Sequence, residues 1–455
     1  MSLWKLALRS LQQRRLASLL TMLSLALGVG LVAAVLSLYG VISEAFKRNS
    51  SFGYTLIVGA KGSPLQLTLN TVYYLSQPVE NLPYSYFLEF FPAERRKAEL
   101  AKYGGRLAEP DRDGRYSLYA AGGMAIPVCL GDYLGDFRVV ATTPEFFDQL
   151  RYGENVDRPF TFAAGRNFQE NSETYGYFES VIGARVARER NLKVGDQIFP
   201  THGDPDGHTH EQGFTIVGIL DSTGTPNDRG VFINMEGFYL LDGHAKPIDD
   251  EPPATEEVEG SSTSRGPKKY RPLPIEQREI TAMLLRPSQP LFSMKLQNVI
   301  NEGTQAQAAA PVGEVAKLMQ WIVSPVQQAL LAITLITCIV AAIGILVSIY
   351  NSMNERRRDI AVMRALGARR ETVMAVILLE SLLIAVIGGA LGWLTAHLAL
   401  AVGSQLIEDR TGIVVGFFTT SRAEWYVLPL VIGLAAVAGL LPAWVAYRTD
   451  VARNL

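Results

Sequence analysis

Cysteine is scarce in this chain. Cys129 and Cys338 are the two in 455 residues, and Cys338 lies in a long apolar run, so no disulfide between them is expected and the fold must rest on its own core. A surplus of charge of one sign is missing too. Lys and Arg number 42 against 44 Asp and Glu, a net charge of −2 that offers no general basic surface to nucleic acid. The sequence has no Gly-x-x-x-x-Gly-Lys-Ser/Thr loop, so a phosphate-cradling nucleotide site of that kind is not expected. It has no internal repeat, and histidine occurs five times.

Apolar residues are in excess, at 48% of the total. They concentrate in four runs, 16–43, 321–350, 372–402 and 425–447, each long enough for the ~20 residues that cross a bilayer core. The first run could be mistaken for a secretory signal, since Lys5, Arg9, Arg14 and Arg15 precede it. Signal h-regions span only ~7–15 residues, so a retained anchor is the better reading. Basic residues set the orientation. They fill the 1–15 segment, the 351–371 loop and the 448–455 tail, whereas the short 403–424 loop balances Arg410 and Arg422 against Glu408, Asp409 and Glu424. The positive-inside rule therefore places both termini and 351–371 in the cytoplasm, and 44–320 outside, in a multi-pass protein of the cell (inner) membrane. The expected fold class is membrane α-helical, with four transmembrane helices plus a large α+β extracytoplasmic domain between the first and second.

Within 44–320, "FRVVATT" (137–143), "FTIVGIL" (214–220) and "GVFINM" (230–235) read as strands, rich in Val, Ile, Phe and Thr and bounded by turn residues. "SVIGARVARERNLKVGDQI" (180–198) reads as strand, helix, glycine turn and strand. The segment 246–274 has few apolar residues and many Pro, Glu and Ser, and is expected to be a disordered loop.

Between the second and third runs lies "NERRRDIAVMRALGARRETV" (354–373). Ile360, Met363 and Leu366 recur at i, i+3 and i+6, with Leu366 also at i+4 from Val362, and so give one apolar edge to a short helix that stops at Gly367. Its arginines also serve topology and contact with anionic lipid, which accounts for the charge but not for the ordered edge.

That stretch resembles the segment between the second and third spans of FtsX-like and MacB-like ABC permeases, in its Glu-Arg start, acid-Ile step and "RALGA" end. "LLESLLIAVIGGALGWLTAHLA" (378–399) and "LPAWVAYRTDVARNL" (441–455) are similar to the family's third span and ending. "VIGARVARERNLKVGDQI" and "FTIVGILDSTGTPNDRGVFI" resemble its external core domain. Asp359 stands where the family usually has Glu, and 62–135 departs from the pattern. The resemblance implies a non-catalytic permease subunit whose cytoplasmic helix docks on an ABC ATPase dimer and transmits ATP-driven motion outward. Glu355, Arg356, Asp359, Met363, Arg364, Leu366 and Gly367 are then the coupling residues. ATP and Mg would be bound by the ATPase, a separate polypeptide. Four spans are half of the usual membrane part, so the chain would pair with a second copy or a sister permease, and an extracytoplasmic substrate-binding or adaptor protein is a further expected partner.

Glu380 is a carboxylate within a span, which costs ~2.5–3.5 kcal/mol on insertion scales and favours a bundle-facing position with a hydrogen bond to a neighbouring helix. Gly388 and Gly392 form a small-xxx-small pair for close helix packing. His202, His208, His210 and His244 fall within about forty positions of one another, three of them in "HGDPDGHTHE". His208 and His210 share a face of an extended segment. With Asp204, Asp206 and Glu211 nearby, His202, His208 and His210 are candidate ligands for zinc; the bland reading is a solvated turn.

Three functions follow. The first is an ABC permease that converts ATP hydrolysis into substrate export or extraction. The second is an FtsX-type transmembrane relay that activates an external partner. The third, a membrane-anchored metalloenzyme, leaves three spans and the cytoplasmic helix unexplained.

Overall fold

The computed structural model describes residues 3–13, 15–49, 53–153, 155–203, 207–246, 270–355 and 368–411, with scattered positions between 424 and 444. Two compact units emerge, Phe46–Leu318 and a second made from the two ends of the chain.

Among the described residues of the second unit, four helices carry the fold: α1 (Leu3–Gln13), α2 (Arg15–Asn49), α3 (Ser324–Glu355) and α4 (Arg370–Thr411). Among the described residues, three segments are long and apolar enough to cross a membrane, Ser18–Val41, Pro311–Gly344 and Arg370–Ser404. The fourth expected span, 425–447, lies mostly outside the described residues, as do 246–274 apart from its ends and, from Arg356 to Gly367, the stretch expected to form the coupling helix. Within the 1–15 segment, Leu3–Gln13 is helical. In α1, Ala7 and Leu11, one turn apart, are buried in one cluster with Val373 and Ile377 of α4.

Helices α2 and α4 meet where side chains are smallest. A Cβ at Gly392 would collide with the Ala26 carbonyl and come within 2.9 Å of the Val29 Cβ, and one at Gly388 would sit 3.1 Å from the Met22 carbonyl. These glycines let two backbones approach, as small-xxx-small pairs do. Glu380 is buried on α4. Farther along α4, His397 Nε2 lies 3.0 Å from Glu424 Oε2, and the Ser37 hydroxyl donates to the other oxygen of that carboxylate.

The Phe46–Leu318 unit is an α+β domain on a mixed eleven-stranded sheet. Its strands are β1 (Leu56–Ala60), β2 (Met124–Leu134), β3 (Phe137–Thr142), β4 (Phe162–Gly165), β5 (Glu179–Ile182), β6 (Gln197–Ile198), β7 (Thr201–His202), β8 (Phe214–Leu220), β9 (Val231–Asn234), β10 (Ala282–Arg286) and β11 (Ala306–Ala309). The main path runs β11-β1-β10-β2-β3-β9-β5-β8-β4, with β7 added to β2 and β6 to β8. Pairs β3·β9 and β5·β8 are parallel; the others are antiparallel.

Both faces of the sheet are covered, and the period-2 alternation of strands divides the core accordingly. Val231 and Ile233 join one cluster and Phe232 the other; Leu56 and Val58 oppose Ile57; Met283 and Leu285 oppose Leu284. Each such buried side chain contributes about 1.5–3 kcal/mol of transfer free energy. The expected strand–helix–strand unit is present as β5, the helix Ala184–Arg190, a turn at Gly195 and β6.

Candidate metal centre

Three separate pieces of chain bring one carboxylate and three imidazoles together. The first is β2. Its pairing with β3 shifts register between Leu130 and Tyr133, so the strand is bulged around Asp132. Bulges of this kind re-aim a side chain without ending the strand. The second is the hairpin through β7, which sets His202 opposite Asp132. His202 N–H donates to the His208 carbonyl at 2.8 Å and His210 N–H to the Pro200 carbonyl at 2.9 Å, which fixes both imidazole-bearing backbones. The third is the turn after the helix Met235–Tyr239, where Gly243 takes φ +84° and the His244 ring packs 4.0 Å from the Phe238 ring.

Asp132, His202, His210 and His244 each offer one ligand atom, and the four atoms lie within 4.8 Å of one another. The separations are close to uniform. His202 Nδ1 and His210 Nε2 are each 3.3 Å from an Asp132 oxygen, and His244 Nε2 is 3.2 Å from one. His244 Nε2 is also 3.4 Å from His202 Nδ1 and 3.2 Å from His210 Nε2. Ligands held 2.0–2.1 Å from a tetrahedral zinc stand about 3.3–3.4 Å apart. The His–His and His–Asp132 contacts of 3.2–3.4 Å are of that length, and all four ligand atoms lie within 4.8 Å of one another.

Hydrogen bonding does not satisfy the same groups. Neither Asp132 oxygen has a partner of acceptable hydrogen-bond geometry, although the carboxylate is 0% exposed. His244 Nε2 faces three polar atoms and carries at most one proton, so the other lone pairs confront one another. A cation at the centre relieves that conflict. Burial alone would raise the Asp132 pKa, but His210 and His244 outweigh it and hold the carboxyl at about 2. The Asp132 carboxylate is therefore ionised at neutral pH.

The structure places the sequence candidates unevenly. His202 and His210 are in the cluster. His208 is not: its ring is exposed and 6.4 Å from that of His210, and only its carbonyl serves the hairpin. Asp204 and Asp206 lie outside the described residues. His244 takes the place expected for His208, and Asp132, seventy positions upstream of His202, completes the set. Sequence reasoning missed Asp132; its one signal was an acid interrupting the apolar run "MAIPVCLGDYL".

Comparison with known proteins puts this cluster in context. The MacB-like periplasmic core domain model matches residues 18–260, more than half of the chain, and the FtsX-like permease C-terminal model matches 331–451. The chain belongs to the family of MacB-like and FtsX-like ABC permeases. Relatives include the macrolide export ATP-binding/permease proteins MacB of Nitrobacter winogradskyi, 26% identical over 68% of this chain and 42% of that protein, and of Acinetobacter baylyi, 36% identical over 26% and 17%. The pyoverdine export ATP-binding/permease protein PvdT of Pseudomonas fluorescens is 24% identical over 67% and 42%. This permease spans about two fifths or less of the length of these curated relatives. All four cluster residues fall within the stretch matched by the MacB-like core domain. Of the residues expected to couple a FtsX-like permease to its ATPase, Glu355 is the last residue of α3; Arg356, Asp359, Met363, Arg364, Leu366 and Gly367 are outside the described residues.

Proposed function

We propose that this chain is the non-catalytic permease subunit of an ABC transporter in the cell inner membrane, and that its α+β domain, on the external side, binds a divalent transition metal, zinc by chemistry. One observation carries the metal assignment: four ligand atoms of three histidines and one aspartate converge within 4.8 Å of one another, and the buried carboxylate among them has no hydrogen bond. Imidazole and carboxylate without thiolate suit zinc and its neighbours in the first transition row, and disfavour the soft monovalent ions that cysteine selects.

In this reading ATP hydrolysis takes place in an ABC ATPase dimer that docks on the 351–371 helix through Met363 and Leu366, and the chain acts as a dimer with itself or a sister permease. Motion then passes along α2 and α3, the helices that lead into and out of the domain that holds the metal. The metal ties β2, the 200–210 hairpin and the turn at Gly243 into one unit, so its presence reports on a region distant in sequence from the spans. Family membership and the unbroken apolar helices support the transport reading.

The test is purification of the full chain from membranes under mild detergent, followed by identification of bound proteins and elemental analysis. The expected result is one zinc equivalent per chain and an ABC ATPase in the complex. Replacing Met363 and Leu366 with Asp should remove the ATPase and leave the zinc. A complex with no ATPase would overturn the coupling, and zinc retained at full occupancy in His244→Ala would overturn the metal site.

A further inference from the structure

Beside the metal cluster lies a cavity of about 450 Å³ whose wall includes His202, His244, Phe238, Lys246 and Arg138. Arg138 is the anomaly. Arginine is almost never fully buried unless paired, yet this one is 2% exposed and has no ion-pair partner among the described residues. Its Nη2 donates to the Ser76 carbonyl, and its guanidinium carbon stacks 4.2 Å over the Tyr133 ring. Nε and Nη1 are buried and have no hydrogen-bond partner. Burial lowers its pKa against the opposing influence of Tyr133 and Asp132. A guanidinium left with unmade donors in a wall of a cavity lacks a ligand atom that the protein does not supply.

The charge of the cavity points the same way. Lys246 is 3.5 Å from Glu279 and the two offset each other. A divalent ion less the Asp132 charge, plus Arg138, leaves a net charge of about +2 by formal counting on groups of fixed ionisation. Carbon surfaces of Phe238, Leu130 and Pro78 share the wall with the polar groups of Asn81 and Thr281. That lining suits an organic anion with a short carbon frame rather than a bare inorganic one.

We propose that this cavity binds a small hydroxy- or amino-carboxylate, one carboxylate oxygen on Arg138 and another donor on the metal held by Asp132 and the histidines. His202, the ligand whose side chain is 51% exposed, borders the cavity, so the metal face next to Arg138 is the accessible one. The chelator would add a fifth donor to the four side chains, a coordination number that zinc reaches in some catalytic sites. The site then recognises the metal together with its organic chelator, and Arg138 is what distinguishes the complex from the free ion. This inference rests on the metal reading above and names the class of molecule that site takes.

Calorimetric titration of the full chain in detergent tests it, with malate as probe, inorganic phosphate as control, and zinc loaded beforehand. Malate should bind the zinc-loaded wild type, at least tenfold more weakly when zinc is omitted, and at least tenfold more weakly in zinc-loaded Arg138→Gln. Arg138→Lys, which keeps the charge in the same fold, should recover part of that loss. Zinc affinity itself should be the same in wild type and Arg138→Gln, which also shows that the variant is folded. Equal malate affinity in wild type and Arg138→Gln, both holding zinc, would overturn the proposal and leave the metal site standing. Phosphate bound as tightly as malate would overturn the carboxylate class. Failure of the wild type to bind zinc would instead remove the metal reading and this inference with it.

Discussion

Glu236 and Asp132 are both buried carboxylates of the α+β domain, 5% and 0% exposed, and their surroundings differ in one respect. Glu236 is met by Arg278, with Nη1 2.8 Å from Oε1 and Nη2 on the other oxygen, and the guanidinium is stacked 3.5 Å over the Tyr103 ring. Burial works against the charged Arg278, but Glu236 overrides it and raises the arginine pKa. Arg278 Nε is used as well, on the Leu273 carbonyl at 2.7 Å. Asp132 has no such fork. Imidazoles crowd it at 3.2–3.3 Å without hydrogen-bond geometry. A saturated buried pair is part of the core; an unsaturated one with converging donors is a place for something else.

The largest expected effect breaks the saturated side. Arg278→Leu leaves Glu236 buried and uncompensated, and should destabilise the domain by about 3–5 kcal/mol, read as a lowered melting temperature of the full chain in detergent. Zinc affinity of the remaining folded protein should not change. A melting temperature equal to that of the wild type would mean that the fork contributes nothing to the core. On the unsaturated side, His210→Ala or His244→Ala should weaken zinc binding by more than the roughly 10–100-fold typical of losing a metal ligand's outer partner. Wild type with zinc at a hundred times its Kd should gain about 2.7 kcal/mol of stability, and the variants should not.

Acid sharpens the contrast. A carboxyl whose folded pKa is lowered keeps its contribution above its ordinary value and loses it only as pH falls toward about 2, so Asp132 stays ionised through the range where histidine titrates. Zinc affinity should therefore fall as pH is lowered from 7 to 5, because protons compete with the metal for imidazole nitrogen while Asp132 stays ionised. Zinc affinity that is the same at pH 7 and pH 5 would contradict imidazole ligation. The smallest effect belongs to His208→Ala. Its ring is exposed, so stability should stay within about 0.5 kcal/mol and zinc affinity should be unchanged. A tenfold loss would return His208 to the ligand set.

Local patterns in the sequence carried much of the fold. Phe214–Leu220 is a strand over the stretch read as one, and 180–198 folds in the order expected, because alternation and a glycine turn are local signals. The apolar runs at 16–43 and 372–402 are helices for the same reason, and Gly388 and Gly392 sit at a helix contact as their spacing implied. The metal cluster was half legible. His202 and His210 are near each other in the chain, but Asp132 is joined to them by the pairing of β2 with β7, a long-range register that no short window contains. His208 and His210 share strand parity, as read, yet parity fixes only which side of a strand a ring leaves from, not whether it reaches a point set by His244. Arg138 gave no signal, since an arginine between Phe137 and Val139 reads as the solvent side of a strand until burial is known.

The measurement that most directly tests the account is zinc titration of the detergent-solubilised full chain at neutral pH, comparing wild type with Asp132→Ala and His208→Ala. The account predicts one zinc site per chain in wild type, the same site with the same affinity in His208→Ala, and its loss in Asp132→Ala, because only Asp132 supplies the carboxylate at the centre of the imidazoles. Equal zinc affinity in wild type and Asp132→Ala would contradict it.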